Sequence, residues 1–227
     1  TQCPKNELKT IARTEFKLDS LDTSHKPNAD EKSAEAESPA LTVIIISYNT
    51  RDLTLKALET LYATTVETPI NVIVLDNASK DGSVDAIRQD YPQVELIASK
   101  DNLGFAAGNN MAAKQAKTEW ILLLNPDTEC YEGAIDNLFS FAKEHQEASI
   151  FGGRTVFPDG KLNLGSCWRR SSLWSLLSSA LGLTLLFPNS SVFNSEIMGG
   201  WQRDDDREVD IVAGCFFLTR LRVREEL

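Results

Sequence analysis

Two short runs leave the chain little freedom in what it can become. Leu41–Ser47 reads LTVIIIS and Ile70–Asp76 reads INVIVLD, each an unbroken apolar stretch of strand length. A strand with one wet face would alternate apolar and polar residues, so runs like these predict strands covered on both faces, the condition of a parallel sheet between helical layers. The segments between them carry the other period. Leu53, Ala57, Leu58 and Leu61 recur at helical spacing behind Asp52, and Val84 and Ile87 do the same over a shorter stretch. Residues 94–99 (VELIAS) and 120–127 (WILLLNPD) predict two further strands, with helices over 105–116 and around Ala134, Ile135, Leu138 and Ala142. Strand and helix in strict alternation mean βαβ units, hence an α/β fold with a doubly wound, mostly parallel sheet and helices on both faces. At 227 residues the chain has room for one such domain.

Sheets of this kind bind ligands outside the carboxyl ends of their strands. Three predicted ends carry unusual polar residues: Ser47-Tyr48-Asn49, Asp76-Asn77 and Asn125-Pro126-Asp127. In residues 72–84, VIVLDNASKDGSV, an apolar strand delivers a carboxylate to its tip. Asp76 either caps the following turn or meets a ligand. Residues 102–110, NLGFAAGNN, form a loop with two glycines entering a helix, flanked by amides able to donate or accept. This is neither a Walker loop nor a dinucleotide fingerprint, because Gly104 and Gly108 stand four apart and no Gly-Lys-Ser/Thr follows. Gly104 reads as a turn residue with unusual dihedrals and Gly108 as a point of close helix packing. A lone carboxylate such as Asp127 can serve a hard divalent cation that takes its other ligands from water and phosphate. Equally, it can cap the next helix.

The remaining sequence mainly excludes. A net charge of −10 argues against a nucleic-acid partner, which needs clustered Lys and Arg. Four scattered cysteines and two histidines make neither a zinc site nor a disulfide framework and point to a reducing, cytoplasmic setting. No secretory leader pattern opens the chain, and a first residue of Thr leaves its true N-terminus open. Residues 1–40 are rich in charged and hydroxyl side chains and are expected to form a flexible tail before a domain over 41–227. From Ser149 the strand–helix rhythm breaks. Residues 149–163 read as strand, Pro-Asp-Gly turn and extended chain, and 208–220 (EVDIVAGCFFLTR) as one more core strand. Residues 171–195 hold no charge, and the 15-residue stretch 173–187 (LWSLLSSALGLTLLF) follows Arg169-Arg170. It falls short of the ~20 residues that span a bilayer. Burial is expected for it, with membrane-surface contact as the alternative. The triplet Asp204-Asp205-Asp206 beside Arg203 and Arg207 reads as a solvated loop.

Taken in order, a strand ending in Tyr-Asn, the stretch DNASKDGS, an N-x-G-F-A-x-G-x-N loop and a strand ending in NPD resemble family 2 glycosyltransferases, nearest the rhamnosyltransferase-like subgroup, over 41–227. The resemblance implies a GT-A fold and inverting transfer of a sugar, rhamnose in that subgroup, from a nucleotide diphosphate donor to a hydroxyl of a glycan or lipid-linked acceptor in surface polysaccharide synthesis. It also implies peripheral contact with the cytoplasmic face of the membrane. Carried across by motif, Tyr48 and Asn49 line the nucleotide pocket, and Asp76 with Asn77 holds the base or ribose. Asn102, Gly104 and Asn109 shape the donor site. Asn125 stands where the family's Asp-x-Asp motif has its first acid, and Asp127 keeps the place of the last, implying a Mg or Mn ion held with one charge fewer. Asp210 either orients the acceptor region or is a strand-edge turn residue. In similar enzymes the base lies in an acidic motif beyond the strand in 209–220, so no residue is assigned as base and the acceptor end is expected to be incomplete. Two other readings stay open: a nucleotide-sugar-binding module without turnover, and a nucleotidyltransferase, which the glycine-free SYNTRDLT after the first strand disfavours.

Overall fold

The two unbroken apolar runs lie side by side. A computed structural model describes residues 9–13 and 38–221 of the chain. In chain order its elements are β1 (Lys9–Arg13), β2 (Leu41–Ser47), α1 (Arg51–Thr64), β3 (Ile70–Asp76), α2 (Ser83–Asp90), β4 (Glu95–Ala98), α3 (Phe105–Ala113), β5 (Trp120–Leu124), α4 (Ala134–Glu144) and β6 (Ala148–Gly153). They continue through β7 (Cys167–Trp168), α5 (Leu173–Ala180), α6 (Leu183–Leu186), β8 (Arg207–Val209), β9 (Ile211–Val212) and β10 (Phe216–Arg220). Eight strands form one sheet in the order β4-β3-β2-β5-β10-β6-β1-β8. The run from β4 to β5 is parallel throughout, while β10 enters antiparallel between β5 and β6.

Every residue of β2 is buried, because successive side chains leave a strand on opposite faces and both faces are covered. Val43 and Ile45, with Val72, Val74 and Leu122, pack against Leu58 and Leu61 of α1, Ile87 of α2 and Leu138 of α4. Ile44 and Ile46, with Ile73, Leu75 and Ile121, pack against Ala112 and Ala113 of α3. Burial of each such aliphatic side chain contributes roughly 1.5–3 kcal/mol, so the central strands hold the two layers together. Asp136 on α4 adds a polar tie. Its carboxylate accepts the N–H groups of Val66 (3.0 Å), Glu67 (3.3 Å) and Thr68 (2.9 Å), anchoring the α1–β3 connection. Burial pushes this carboxyl up, but hydrogen bonds from Thr68 and from the three backbone amides outweigh it and hold the group below its ordinary value.

Three regions depart from the expectations. Within the segment expected to be a tail, Lys9–Arg13 forms a strand, parallel to β6 and antiparallel to β8. A compositional reading weighs side-chain burial and does not detect a strand held through backbone bonds. The rest of that expectation, over 1–8 and 14–37, lies outside the described residues, as do 222–227 of the expected domain. Residues 208–220 are not one strand but β8, β9 and β10, with β9 paired antiparallel to β7 in a separate two-stranded ribbon. The charge-free stretch is not buried. Gly182, at φ 71°, divides it into α5 and α6, and Leu173, Leu185 and Leu186 are 87%, 85% and 70% exposed. The side chains that α5 turns inward are Ser175 and Ser178.

Residues 154–213 carry a small core of their own, in which Cys167, Met198, Trp201 and Val209 cluster. At its centre Arg203 is 1% exposed. Its guanidinium donates to the carbonyls of Cys167 and Ile197, both at 3.0 Å, and lies 4.2 Å from the Trp201 ring. Burial pulls its pKa down. The neighbouring acids behave as a solvated loop should: Asp204 and Asp206 are exposed, and Asp205 pairs with Arg207 at 2.9 Å and accepts from the Trp201 indole N–H.

Candidate functional site

The register of the parallel strands brings the polar tips to one edge. Ser47 stands opposite Asp76, Asp76 opposite Ala98, and Leu124 opposite Ile45, so Tyr48, Asp76-Asn77 and Asn125–Asp127 all leave the sheet at the carboxyl ends of β2, β3 and β5. Asp76 is 1% exposed. Its Oδ2 accepts the N–H of Ser79 at 2.9 Å. The other oxygen, Oδ1, is shielded from solvent and has no hydrogen-bond partner among the described residues. Both readings of Asp76 thus have footing: one oxygen caps the turn, and the second is an acceptor left open. Buried polar atoms are nearly always paired, so an open one at a strand tip calls for a partner.

The loops around this carboxylate brace one another. Asn49, with φ at 52°, donates its N–H to the Ser79 hydroxyl (2.9 Å) and accepts the Lys80 N–H on Oδ1 (2.8 Å). Asp81 accepts the N–H of Arg51 at the start of α1 (2.9 Å) and that of Ser83 at the start of α2 (3.1 Å). Slight burial pushes Asp81 up, yet bonds from Ser83 and Arg51 bring it below its ordinary value. Buried Asn77 accepts the Leu103 N–H at 3.1 Å and donates to the Gly104 carbonyl at 3.3 Å, clamping the glycine loop to the tip of β3.

Both glycines have the roles read from the sequence. Gly104 sits at φ 77° and ψ 173°, a region essentially closed to side-chain-bearing residues. A Cβ on Gly108 would stand 3.3 Å from Ile46 Cγ2 and 3.5 Å from Asn77 Nδ2, a tight approach that fits a glycine where α3 packs on the sheet. Asn102 accepts the N–H of Gly104 at 2.8 Å, and Asn109 donates to the Phe105 carbonyl at 2.9 Å.

Asn125 donates its N–H to the Cys215 carbonyl (3.0 Å), and its own carbonyl accepts from Thr128 (3.1 Å), which folds Pro126-Asp127 into a turn. Asp127 is exposed. Burial first, and the Asp127 charge among lesser causes, raises the Cys215 thiol. A groove of about 240 Å³ opens beside α3, lined by Phe105, Asn109, Leu123, Ile150 and Phe217 among others. Asp210 accepts the Arg170 N–H at 2.9 Å, a turn-bracing role. Cys130, Cys167 and Cys215 are free thiols; Cys3 lies outside the described residues.

The structure brings Tyr48, Asn49, Asp76, Asn77 and Asn125–Asp127 to one sheet edge, with the Asn102–Gly104 loop clamped against it by Asn77, and divides their work. Asn49, Asn77, Asn102 and Asn109 each spend side-chain capacity on backbone groups and build the loops. Tyr48 (49% exposed), Asp76 Oδ1 and Asp127 remain available. Sequence reasoning missed Ser79 and Asp81 as braces. The available signal was the Asp-x-Ser spacing ahead of α2, which suits a side chain that closes its own turn. Among the described residues no three His, Cys, Asp or Glu side chains are grouped to hold a metal ion. A cation at Asp127 would have to complete its shell from water and ligand oxygens, which Mg²⁺ commonly does.

The sequence profile of glycosyl transferase family 2 matches residues 42–218, most of the chain. The chain belongs to glycosyl transferase family 2. Its mixed, mostly parallel sheet with helices on both faces is the α/β architecture of the GT-A fold. A Mycobacterium tuberculosis N-acetylglucosaminyl-diphospho-decaprenol L-rhamnosyltransferase is 31% identical over 107 residues, covering 42% of this chain and 35% of the relative. The Bacillus subtilis minor teichoic acid biosynthesis protein GgaB is 29% identical over 124 residues, 52% of this chain and 14% of that protein. The alignments with these relatives thus take in about a third of their length or less. Among solved structures, the mannosyltransferase PcManGT from Pyrobaculum calidifontis, in complex with GDP-Man and Mn²⁺, aligns with a TM-score of 0.42 and 26% identity over 46% of this chain and 32% of that one.

Proposed function

We propose that this family 2 domain binds a nucleotide diphosphate sugar at the carboxyl edge of its sheet and belongs to an inverting glycosyltransferase of cell-surface polymer synthesis. The observation that carries the reading is Asp76 Oδ1, a buried acceptor without a partner among the described residues, at the edge where such sheets take ligands. A base N–H or ribose O–H of the donor supplies the missing bond, worth about 1–3 kcal/mol because a buried acceptor otherwise goes unsatisfied. Tyr48 offers a ring beside it, and the braced Asn49, Asn77 and Asn102–Gly104 loops keep the pocket's shape before the ligand arrives.

Asp127, with Asn125 in the same turn, would hold a divalent cation jointly with the donor's phosphate oxygens. When bound, that ion offsets charge on the departing diphosphate. Similarity to a relative named as an L-rhamnosyltransferase acting on a decaprenol-linked sugar supports rhamnose as the donor sugar and a lipid-linked hydroxyl as acceptor. The residue that deprotonates that hydroxyl is not assigned.

Calorimetric titration of the chain with a panel of nucleotide diphosphate sugars, with and without Mg²⁺ or Mn²⁺, tests this. Saturable binding of a deoxythymidine or uridine diphosphate sugar, tightened by the cation, is expected. Binding confined to nucleoside triphosphates would overturn the reading in favour of nucleotidyl transfer.

A further inference from the structure

The stretch from Ser171 to Ser195 inverts the usual arrangement of a surface segment. Helix α5 is capped by a reciprocal Ser172–Ser175 box and turns Ser175 and Ser178 toward the protein, at 5% and 0% exposure. Leu176 and Leu177 of α5, Leu181, and Leu185, Leu186 and Phe187 in and after α6 face outward. An exposed apolar surface of this extent marks an interaction site.

The patch has the chemistry of a hydrocarbon boundary. Two of its polar groups are bonded within the protein: the Trp174 indole N–H donates to the Val192 carbonyl at 2.9 Å, and the Ser175 hydroxyl bonds the Ser172 carbonyl and the Glu196 carboxylate, while the Ser178 hydroxyl is buried without a partner among the described residues. Glu196, the first acid beyond the stretch, is further held by the Ser171 hydroxyl at 2.9 Å. At the other border stand Arg169 and Arg170, both exposed, neither with an ion pair to another described residue. Two exposed guanidiniums beside an uncharged leucine face, on a chain of net charge −10, give local complementarity to an anionic surface that the molecule as a whole lacks. Trp174 at the rim suits the water–hydrocarbon boundary. No helix among the described residues is long and apolar enough to cross a membrane, so such a surface lies on a bilayer rather than through it.

We propose that α5 and α6 dock on an anionic lipid bilayer, their leucines entering the acyl boundary and Arg169-Arg170 meeting the headgroups. The proposal goes beyond the donor-site reading and stands on different residues. Co-sedimentation of the full chain with phosphatidylglycerol-containing vesicles, against pure phosphatidylcholine vesicles, tests it. Binding to the anionic vesicles at least tenfold above the neutral ones is expected. The Leu176→Ser/Leu185→Ser variant should lose most of it, and Arg169→Gln/Arg170→Gln should reduce it several-fold, since each basic residue near an anionic surface adds appreciably. Circular dichroism confirms that the variants are folded, and nucleotide titration of the leucine variant separates a failure here from a failure at the donor site. A chain that stays in the supernatant with both vesicle types overturns the proposal. So does a dimer seen by sedimentation velocity that the leucine substitutions dissociate without any vesicle binding, since the face would then join two copies.

Discussion

Between β2 and α3, polar side chains are buried and bonded while the apolar ones fill the core; in α5–α6, serines are buried and leucines stand in solvent. At the sheet edge, Asn49, Asn77 and Asp81 are consumed in joining three loops, and among the described residues Asp76 Oδ1 is a buried oxygen there without a partner. In the α5–α6 segment the Trp174 indole and the Ser175 hydroxyl are bonded inward, and leucines make up most of the outer face. The contrast teaches that an unmet demand marks a site in either chemistry: an acceptor without a donor in one region, hydrocarbon without cover in the other.

The comparison predicts two units that fail separately. Arg203→Ala removes charged hydrogen bonds to the Cys167 and Ile197 carbonyls and leaves them buried, which should cost the 154–213 region about 3 kcal/mol. Hydrogen exchange should speed up there while the β2 and β3 amides stay protected. Uniform acceleration through the central strands would mean that the two regions are one cooperative unit.

A smaller effect, of about 2–3 kcal/mol, is expected from Asp136→Ala, which strands the amides of residues 66–68. Because the folded pKa of Asp136 is depressed, its contribution is complete above the unfolded value of ~3.9 and fades as pH falls through the lower folded one. Thermal melts should therefore show a wild-type advantage at pH 7 that narrows only below about pH 4. Smallest of all, Leu185→Ser should move stability by less than about 0.5 kcal/mol. A larger loss would make that leucine part of a core.

How much of this was legible in the sequence follows from the physics of each feature. The parallel core was, because double burial leaves unbroken runs such as LTVIIIS; so were Gly104, whose left-handed backbone favours glycine, and Gly108, where α3 approaches the sheet closely. The strand at Lys9–Arg13 was not, since backbone pairing leaves no apolar signature. Arg203 was read past, because an arginine beside an acidic triplet looks solvated until tertiary carbonyls surround it. The 173–187 stretch was read as buried because apolar composition does not say which side of a helix finds a partner. The candidate site was legible as a set of strand tips, but the division between loop-bracing asparagines and available ligand groups depends on bonds between segments about thirty residues apart.

The central claim is that Asp76 Oδ1 awaits a nucleotide diphosphate sugar. The most direct measurement compares Asp76→Ala with Asp204→Ala by calorimetry against the donor that binds the wild-type chain. Loss of one buried hydrogen bond to the donor predicts an affinity roughly 10- to 100-fold weaker for Asp76→Ala and no change for the solvated Asp204. Equal affinities in the two variants would contradict the account.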